Sequence, residues 1–173
     1  MTRHVALLRG INVGGGNRLP MADLRSAAEG LGWQSVRTHI ASGNLVFEVQ
    51  GAPDALAAAL SDALKTSCGL TPRIIVQTAA AFRKTLDACP FKPEDLRHAH
   101  VFWLLDKPAF DKDLLAALRA GSECLALGPD AAYLHAPDGI GRSALANKID
   151  KVLGTATTGR NLRTARAIAA LLD

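Results

Sequence analysis

Four glycines and two asparagines crowd the stretch at residues 10–17, between a predicted strand and a predicted helix. Backbone N–H groups in such a turn are free to donate, and the dipole of the following helix favours an anion, so the pattern is typical of phosphate binding. The spacing matches no specific fingerprint. A P-loop counted from Gly10 requires Lys at Gly16, and a dinucleotide turn counted from Gly14 requires a third glycine at Leu19. This glycine loop therefore predicts where an anion would bind and leaves the reaction open.

Hydrophobic periodicity predicts the elements on either side of the glycine loop. Apolar residues at helical spacing follow the loop. They lie between Pro20, a residue type common at helix starts, and Gly32, a residue type common at helix ends. The first half is predicted to contain strand 4–9, a helix around 24–31, strands 35–40 and 44–49, a helix that begins at Pro53, and strand 73–77. This β-α-β-β-α-β order is the split βαβ of the ferredoxin-like plait.

That topology brings distant segments to one end of the sheet. The first and second strands run parallel because a helix crosses over between them, and the third returns antiparallel through a hairpin. The glycine loop must then lie beside the hairpin tip at 42–44 and the entry to the fourth strand at 71–73. Tight turns also require glycine and asparagine, so a purely structural role stays open. We predict ligand contacts here from Arg9, Asn12, Gly14, Gly15, Asn17, Ser42, Gly43 and Asn44.

The second half repeats the element order of the first. A short helix at 79–88 and a proline-bounded linker at 89–93 separate the halves. The fold class is therefore predicted to be α+β, with two ferredoxin-like subdomains packed together, residues 1–90 and residues 91–173, the second with an extra terminal helix. Its elements are strand 100–105, helix 111–120, hairpin strands 124–127 and 132–135, a helix at 143–153, a short strand at 155–158 and a last helix from about residue 161.

Helix starts in the second half supply four more candidate ligand-binding residues. Arg160 begins a series of three arginines spaced by three, which fall on one flank of the last predicted helix. It would lie with Asn161 at the start of that helix, where the dipole repels cations, so the placement has a local cost. Arg142 and Ser143 open the preceding helix. All four are predicted to contact an anion, with a solvated helix flank and N-capping by Ser143 as the alternatives.

Composition and charge set broad bounds. An apolar fraction of 49% with 21% charged residues is typical of globular proteins. The chain has no run of 18 consecutive apolar residues, the length that a membrane-spanning helix needs. The net charge of +4 permits an anionic ligand, but basic and acidic residues are interspersed. Cys68, Cys89 and Cys124 lack the spacing of a disulfide framework or a zinc site, so we expect reduced thiols and a cytoplasmic location.

Several kinds of chemistry are disfavoured. His98 and His100 share a strand face without a third ligand nearby, so we predict no metal, and no motif calls for a cofactor. His39 and Ser42 lack an orienting carboxylate for nucleophilic catalysis. Aromatic residues make up 5% of the chain, and the third strand lacks the aromatic pattern of RNA-reading plaits, so sequence-specific nucleic-acid binding is disfavoured.

The chain contains, in this order, the stretches LRGINVGG at 8–15, PMADLR at 20–25, SGNLVF at 42–47, GRS at 141–143 and RNLRT at 160–164. Together they resemble an uncharacterised bacterial family, the domain of unknown function 1697. The resemblance implies two ferredoxin-like subdomains and implies no activity. Cys89 stands where that family usually has Asn before Pro-Phe, and Leu162 stands where Trp is expected after Arg-Asn. A ligand contact made by that Trp would be missing from this chain.

Three hypotheses for function follow. The first is binding of a small anionic ligand, of phosphate or nucleotide type, at the glycine loop. The second is an enzyme acting on such a ligand, which would also need a titratable group within reach. The third is a nucleic-acid or protein interaction module, and nucleic-acid binding would need a broad basic face and a steep salt dependence. Catalytic residues, the identity of the ligand and the oligomeric state stay open at this stage.

Overall fold

Strand β1 (Thr2–Leu8) lies in the middle of the first of two sheets in the computed structural model, which describes residues 1–173. The sheet has the order β2-β3-β1-β4, and all neighbouring strands are antiparallel. This is the strand order of a ferredoxin-like plait and confirms the predicted fold class. The other elements are β2 (Gln34–Thr38), β3 (Asn44–Val49), β4 (Ile74–Thr78), α1 (Met21–Gly30) and α2 (Pro53–Cys68).

The core of this first sheet lies on the face covered by α1 and α2. Leu24 of α1 and Leu60 of α2 are fully buried there against Leu8, and Trp33 stacks on Phe47 with ring centroids 4.0 Å apart. Burying one such leucine stabilises a fold by about 1.5–3 kcal/mol. The apolar stripes predicted from helical spacing are therefore the surfaces that hold both helices on the sheet.

The second sheet repeats the first. Its order is β6-β7-β5-β8, again antiparallel throughout. Phe102 and Leu134 of this sheet pack against the buried Leu145 and Leu153. The remaining elements are α3 (Ala79–Asp87), a short 3-10 helix at Leu96–His98, β5 (Ala99–Leu104), α4 (Lys112–Leu118), β6 (Cys124–Leu127), β7 (Ala131–His135), α5 (Ala144–Asn147), α6 (Ile149–Leu153), β8 (Thr157–Asn161) and α7 (Leu162–Ala170).

Two predictions for the second half are wrong in detail. The helix expected at 143–153 is two short helices, because the backbone of Lys148 turns to φ −119° and ψ 22° between them. The strand expected at 155–158 runs instead from Thr157 to Asn161. Arg160 consequently lies in β8, paired with Val101 of β5, and not on the flank or at the start of the last helix. The dipole cost expected for Arg160 at a helix start does not apply.

The chain forms two compact units, Met1–Lys84 together with Ala167–Asp173, and Thr85–Arg166. The last residues join the first unit through arginines: Arg3 donates to the carbonyl of Leu172 at 2.6 Å, and Arg83 pairs with Asp173 at 2.6 Å. Arg37 donates to the carbonyl of Leu171. The predicted division at residue 90 places these residues in the second half of the chain. None of the helices combines the length and the apolar character that crossing a bilayer requires.

Candidate functional site

The three segments expected at one end of the first sheet meet there. The N–H of Leu8, at the end of β1, donates to the carbonyl of Gly43 in the hairpin tip at 2.9 Å. The next N–H, of Arg9, donates to the carbonyl of Arg73 at the entry to β4, also at 2.9 Å. The glycine loop thus leaves the sheet between the hairpin tip and the fourth strand, as the topology predicts.

Asn12 holds the glycine loop in shape. Its side-chain amide donates to the carbonyls of Leu19 at 2.9 Å and Ala41 at 2.7 Å. Its side-chain oxygen accepts from the N–H of Leu19 at 2.8 Å, and its backbone N–H donates to the carbonyl of Asn17 at 3.1 Å. Both amide protons are therefore taken by main-chain carbonyls. Asn12 joins the two ends of the loop and ties it to the hairpin.

The tip of the glycine loop is a tight turn that faces solvent. The N–H of Gly16 donates to the carbonyl of Val13 at 3.3 Å, and Gly14 and Gly15 between them have φ of +62° and +78°. No atom lies within 4 Å of where a Cβ would stand on either glycine. The glycines are thus required by the left-handed backbone and not by crowding. Asn17 is also left-handed and donates to the carbonyl of Gly10 at 3.3 Å.

The hairpin tip is held by packing and by hydrogen bonds. Gly43 has φ of +83°, and a Cβ on it would lie 2.7 Å from the Cδ1 of Ile11 and 2.8 Å from the Cβ of Leu8. Asn44 is buried, and its amide donates to the carbonyl of His39 and the hydroxyl of Ser42, both at 2.9 Å. Ser42, Gly43 and Asn44 therefore shape this turn, and direct ligand contacts from them stay a prediction.

A groove of about 540 Å³ opens beside the glycine loop. Its wall is the second half of the loop and the first residue of α1, and its far side is Ala41 of the hairpin. Among the predicted residues, Asn12 and Gly15 line it, whereas Arg9, Gly14 and Asn17 do not. All the lining residues belong to the first unit: Asn12, Gly15, Gly16, Arg18, Leu19, Pro20, Met21 and Ala41.

Arg18 and the start of α1 supply hydrogen-bond donors beside the groove. Arg18 is exposed and brings a positive charge. Helix α1 begins after Pro20 without a side-chain cap, and the amides of Asp23 and Leu24 donate to the Pro20 carbonyl, which leaves those of Met21 and Ala22 without an intrahelical acceptor. The Asp23 carboxylate lies in the same first turn, and its negative charge partly offsets the positive potential at this end of α1. The net result is one guanidinium and two free amides against one carboxylate.

The sequence reasoning missed Arg18, although it lies directly after the predicted loop. Its signal was its place two residues before Pro20, a residue type that begins helices. Arg9 was chosen instead, because it precedes the first glycine. Its backbone N–H donates to the carbonyl of Arg73, directly before β4, and its side chain is half-buried.

The four candidates from the second half belong to the second unit. Arg142 is exposed, and the hydroxyl of Ser143 accepts from the N–H of Ala146 at 3.0 Å as the cap of α5. Asn161 caps α7 in the same way, since its side-chain oxygen accepts from Thr164 at 2.8 Å. Capping, the alternative reading for Ser143, is therefore observed.

Arg160 has a different environment. Its guanidinium donates to the Thr158 hydroxyl at 3.1 Å and to the carbonyl of Gly159 at 2.8 Å, and burial lowers its pKa to about 10. It remains a cation at neutral pH. Leu162, where the resembling family has Trp, is buried and begins α7, so this position is part of the core.

Histidines are the remaining chemically versatile groups. Burial, with a smaller effect from His98, lowers the pKa of His100 to about 4, and burial also lowers the pKa of His4, which stacks on Phe47 with ring centroids 5.5 Å apart. Both rings are therefore neutral near pH 7. No three His, Cys, Asp or Glu side chains lie close enough together to hold a metal ion.

Comparisons with known proteins give a family and a similar solved structure, and they indicate no activity. A family model described as "Protein of unknown function (DUF1697)" matches residues 1–133. The solved structure of a conserved bacterial protein, SP0830 from Streptococcus pneumoniae, is similar over 99% of both chains, with 26% identity and a TM-score of 0.77. No curated protein matches the chain. The family match covers the glycine loop and both sides of the groove.

Proposed function

Because the chain belongs to the DUF1697 family of proteins of unknown function, its role has to be inferred from its own site, and we propose that it binds a small anionic ligand of phosphate or nucleotide type in the groove beside the glycine loop. One observation carries the proposal. The groove of about 540 Å³ collects Arg18 and the uncapped amino end of α1. Free amides and a guanidinium are the groups that hold phosphate and carboxylate oxygens in proteins.

The lining chemistry favours binding over catalysis. Apart from Arg18, the groove is lined by an asparagine amide, two glycines and apolar side chains, and none of its lining residues is a carboxylate, histidine or thiol. An enzyme acting on the same ligand needs a titratable group from outside this set or from the ligand itself. The volume of the groove is that of a small-molecule site, since such sites hold roughly 300–1,000 Å³.

Asn12 takes a different role in this proposal from the one expected of it. Both of its amide protons are committed to Leu19 and Ala41, so it holds the wall of the groove in place. Recognition of the anion is left to Arg18 and Met21, which line the groove, and to the free backbone amides in the first turn of α1.

The test is a thermal-shift and calorimetric comparison of inorganic phosphate, pyrophosphate and adenosine monophosphate. We expect at least one of them to stabilise the wild type and Arg18→Ala to abolish that shift. The matched control is Arg163→Ala, an exposed arginine of the second unit, which removes the same charge and should leave the shift intact. The proposal fails if no anion shifts the melting temperature, or if both variants respond alike.

Salt dependence separates the interaction-module alternative. A nucleic-acid partner held by many phosphates would show a steep loss of affinity with salt, whereas one anion in a groove shows a shallow one. A steep slope with short RNA or DNA, unchanged in Arg18→Ala, would favour the interaction module.

We also infer a cytoplasmic location in a bacterial cell. The three cysteines are free, and Cys68 and Cys124 are exposed, which suits a reducing compartment. Cell fractionation with thiol labelling tests this, because an extracytoplasmic protein would be found outside the spheroplast with its thiols oxidised.

A further inference from the structure

The second unit contains a cavity of its own at the end of β5. Its volume is about 150 Å³. Leucine, proline, phenylalanine, alanine and glycine line it, from Leu104 at the end of the strand to Leu153 in α6, and no lining side chain carries an oxygen or a nitrogen. Unlike the groove of the first unit, which is lined by Arg18, the cavity has no charged side chain in its lining.

Backbone hydrogen bonds fix the positions of the segments that form the walls of this cavity. The loop at 105–111, which contributes Pro108 and Phe110, is fixed to α6 because the N–H of Ala109 donates to the carbonyl of Leu153 at 2.9 Å. The hairpin side is fixed as well, since the N–H of Leu104 donates to the carbonyl of Asp130 at 3.0 Å. Because main-chain hydrogen bonds fix both sides, a shift of the loop that would close the space would have to break one of them.

Close packing between the loop and the end of α6 adds to this rigidity. Gly154 ends α6 with φ of +66°, and a Cβ there would lie 2.3 Å from the carbonyl oxygen of Ala109. The two backbones are thus in direct contact. Protein interiors normally contain few spaces of this size, so this rigid cavity is a candidate site for a small molecule.

The cavity has a buried floor and an exposed mouth. Ala131, Ala132 and Leu153 are each 1% exposed and form the floor, whereas Pro108 is exposed and Leu127 is 53% exposed at the rim. A small molecule can therefore enter from solvent and bury most of its surface. Apolar surface at the mouth would also contact any part of the molecule that projects.

We propose that this cavity binds a small uncharged apolar molecule of the size of a single aromatic ring. Water is a poor occupant because the lining side chains offer it no hydrogen-bond partner, and an engineered apolar cavity of roughly 150 Å³ stays dry and binds benzene or xenon. A charged molecule would lose its hydration, and no lining side chain carries a charge or a polar group that could replace it. The site is separate in residues and chemistry from the proposed anion groove, so either can fail without the other.

Toluene is the probe, with benzylamine and benzoate as charged molecules of similar shape. We expect saturable toluene binding in methyl-resolved NMR spectra of the full chain, with the largest shifts at the methyl groups of Leu104, Leu127, Ala132 and Leu153. The charged probes should bind at least about tenfold more weakly, because the cavity cannot solvate them. Shifts centred elsewhere, or equal binding of all three probes, would overturn the proposal.

Ala132→Leu fills the cavity from its floor and should abolish toluene binding. Ala116→Leu, the same change on the exposed side of α4, is the matched control and should leave binding intact. If Ala132→Leu does not fold, Leu127→Lys at the exposed rim places a charge at the mouth without altering the core and should weaken toluene binding at least about tenfold. Undiminished binding in the folded cavity variants would refute the assignment.

Discussion

In the first unit, the segment between the first strand and the first helix is a glycine loop ending at a helix without a cap; in the second unit, the corresponding segment is the loop at 105–111. Both leave their sheets in the same way. Leu8 donates to Gly43 and Arg9 to Arg73, while Leu104 donates to Asp130 and Leu105 to Ala156, all at 2.9–3.0 Å. The backbone hydrogen bonds at the strand ends are shared, whereas the lengths of the loops and helices and their side chains differ.

The difference lies in whether a side chain caps the N-terminus of the helix that follows the loop. In the second unit the carboxylate of Asp111 accepts from the N–H of Leu114 at 2.9 Å and caps α4, and Pro108 and Phe110 surround an apolar space. In the first unit no side chain caps α1, and Arg18 lies beside the free amides. The same place in a repeated fold thus holds a groove with an arginine beside an uncapped helix in one unit and an apolar cavity near a capped helix in the other.

The largest test of this comparison concerns the two hairpin tips. Gly43→Ala should destabilise the protein by about 3 kcal/mol, because alanine is strained in the left-handed backbone conformation of this position and its methyl group would overlap Ile11 and Leu8. Gly128→Ala at the other tip meets the Ala131 carbonyl at 3.0 Å with an ordinary φ and should cost about 1 kcal/mol. Urea denaturation measures both, and equal losses would contradict the packing described for Gly43.

Asn12→Ala tests how the first loop is held. It leaves the main-chain groups of Leu19 and the carbonyl of Ala41 without their partner, so we expect a loss of about 2 kcal/mol. The loop of the second unit is held by its main chain, and Lys107→Ala, an exposed change in that loop, should be neutral. Chemical denaturation measures the free energy of unfolding of both variants. An unchanged stability of Asn12→Ala would mean that the loop keeps its shape without the hydrogen bonds of the Asn12 side chain.

Asp111→Ala removes the helix cap in the second unit. The expected loss is about 1 kcal/mol, as for other N-cap carboxylates. The reciprocal change, Pro20→Asp, supplies α1 with a carboxylate at its N-cap position and should weaken phosphate binding to the groove. Thermal melts and calorimetry measure the two effects. If Pro20→Asp binds phosphate as well as the wild type, the free amides of α1 are not the anion site.

Asp23→Asn should have the smallest effect. It removes the negative charge in the first turn of α1, so the affinity for phosphate should rise about two- to fivefold at low salt. Glu29→Gln, the same loss of charge near the other end of the helix, is the control and should leave affinity unchanged. Calorimetry at two salt concentrations shows whether the gain is electrostatic, since salt should reduce it.

Local sequence signals predicted the fold well where each element is marked by its own residues. Strand β3 alternates apolar residues from Asn44 to Val49, and α2 begins at Pro53 and ends before Gly69, which has the left-handed backbone of a helix end. The topology of those elements then placed the glycine loop beside the hairpin tip. The shared strand order of the two units was therefore accessible from the sequence.

The misses are positions that depend on distant partners. Strand β8 consists of threonine, glycine, arginine and asparagine, so it has no apolar alternation, and only its pairing with β5 makes it a strand. The role of Asn12 depends on Ala41, which is 29 residues away. Arg18 became a candidate only once the groove was visible. Pattern reasoning locates elements, but it does not show which polar group an element leaves unused.

The division of the chain has a consequence for the order of folding. Residues 167–173 belong with residues 1–84, and residues 85–166 form the other unit, so one unit is interrupted in sequence by the other. During synthesis the interrupting unit emerges in full before the interrupted one has its last segment. The guanidinium groups of Arg3 and Arg83 must therefore wait for residues 172 and 173, and the unit that contains the groove is the last to be completed.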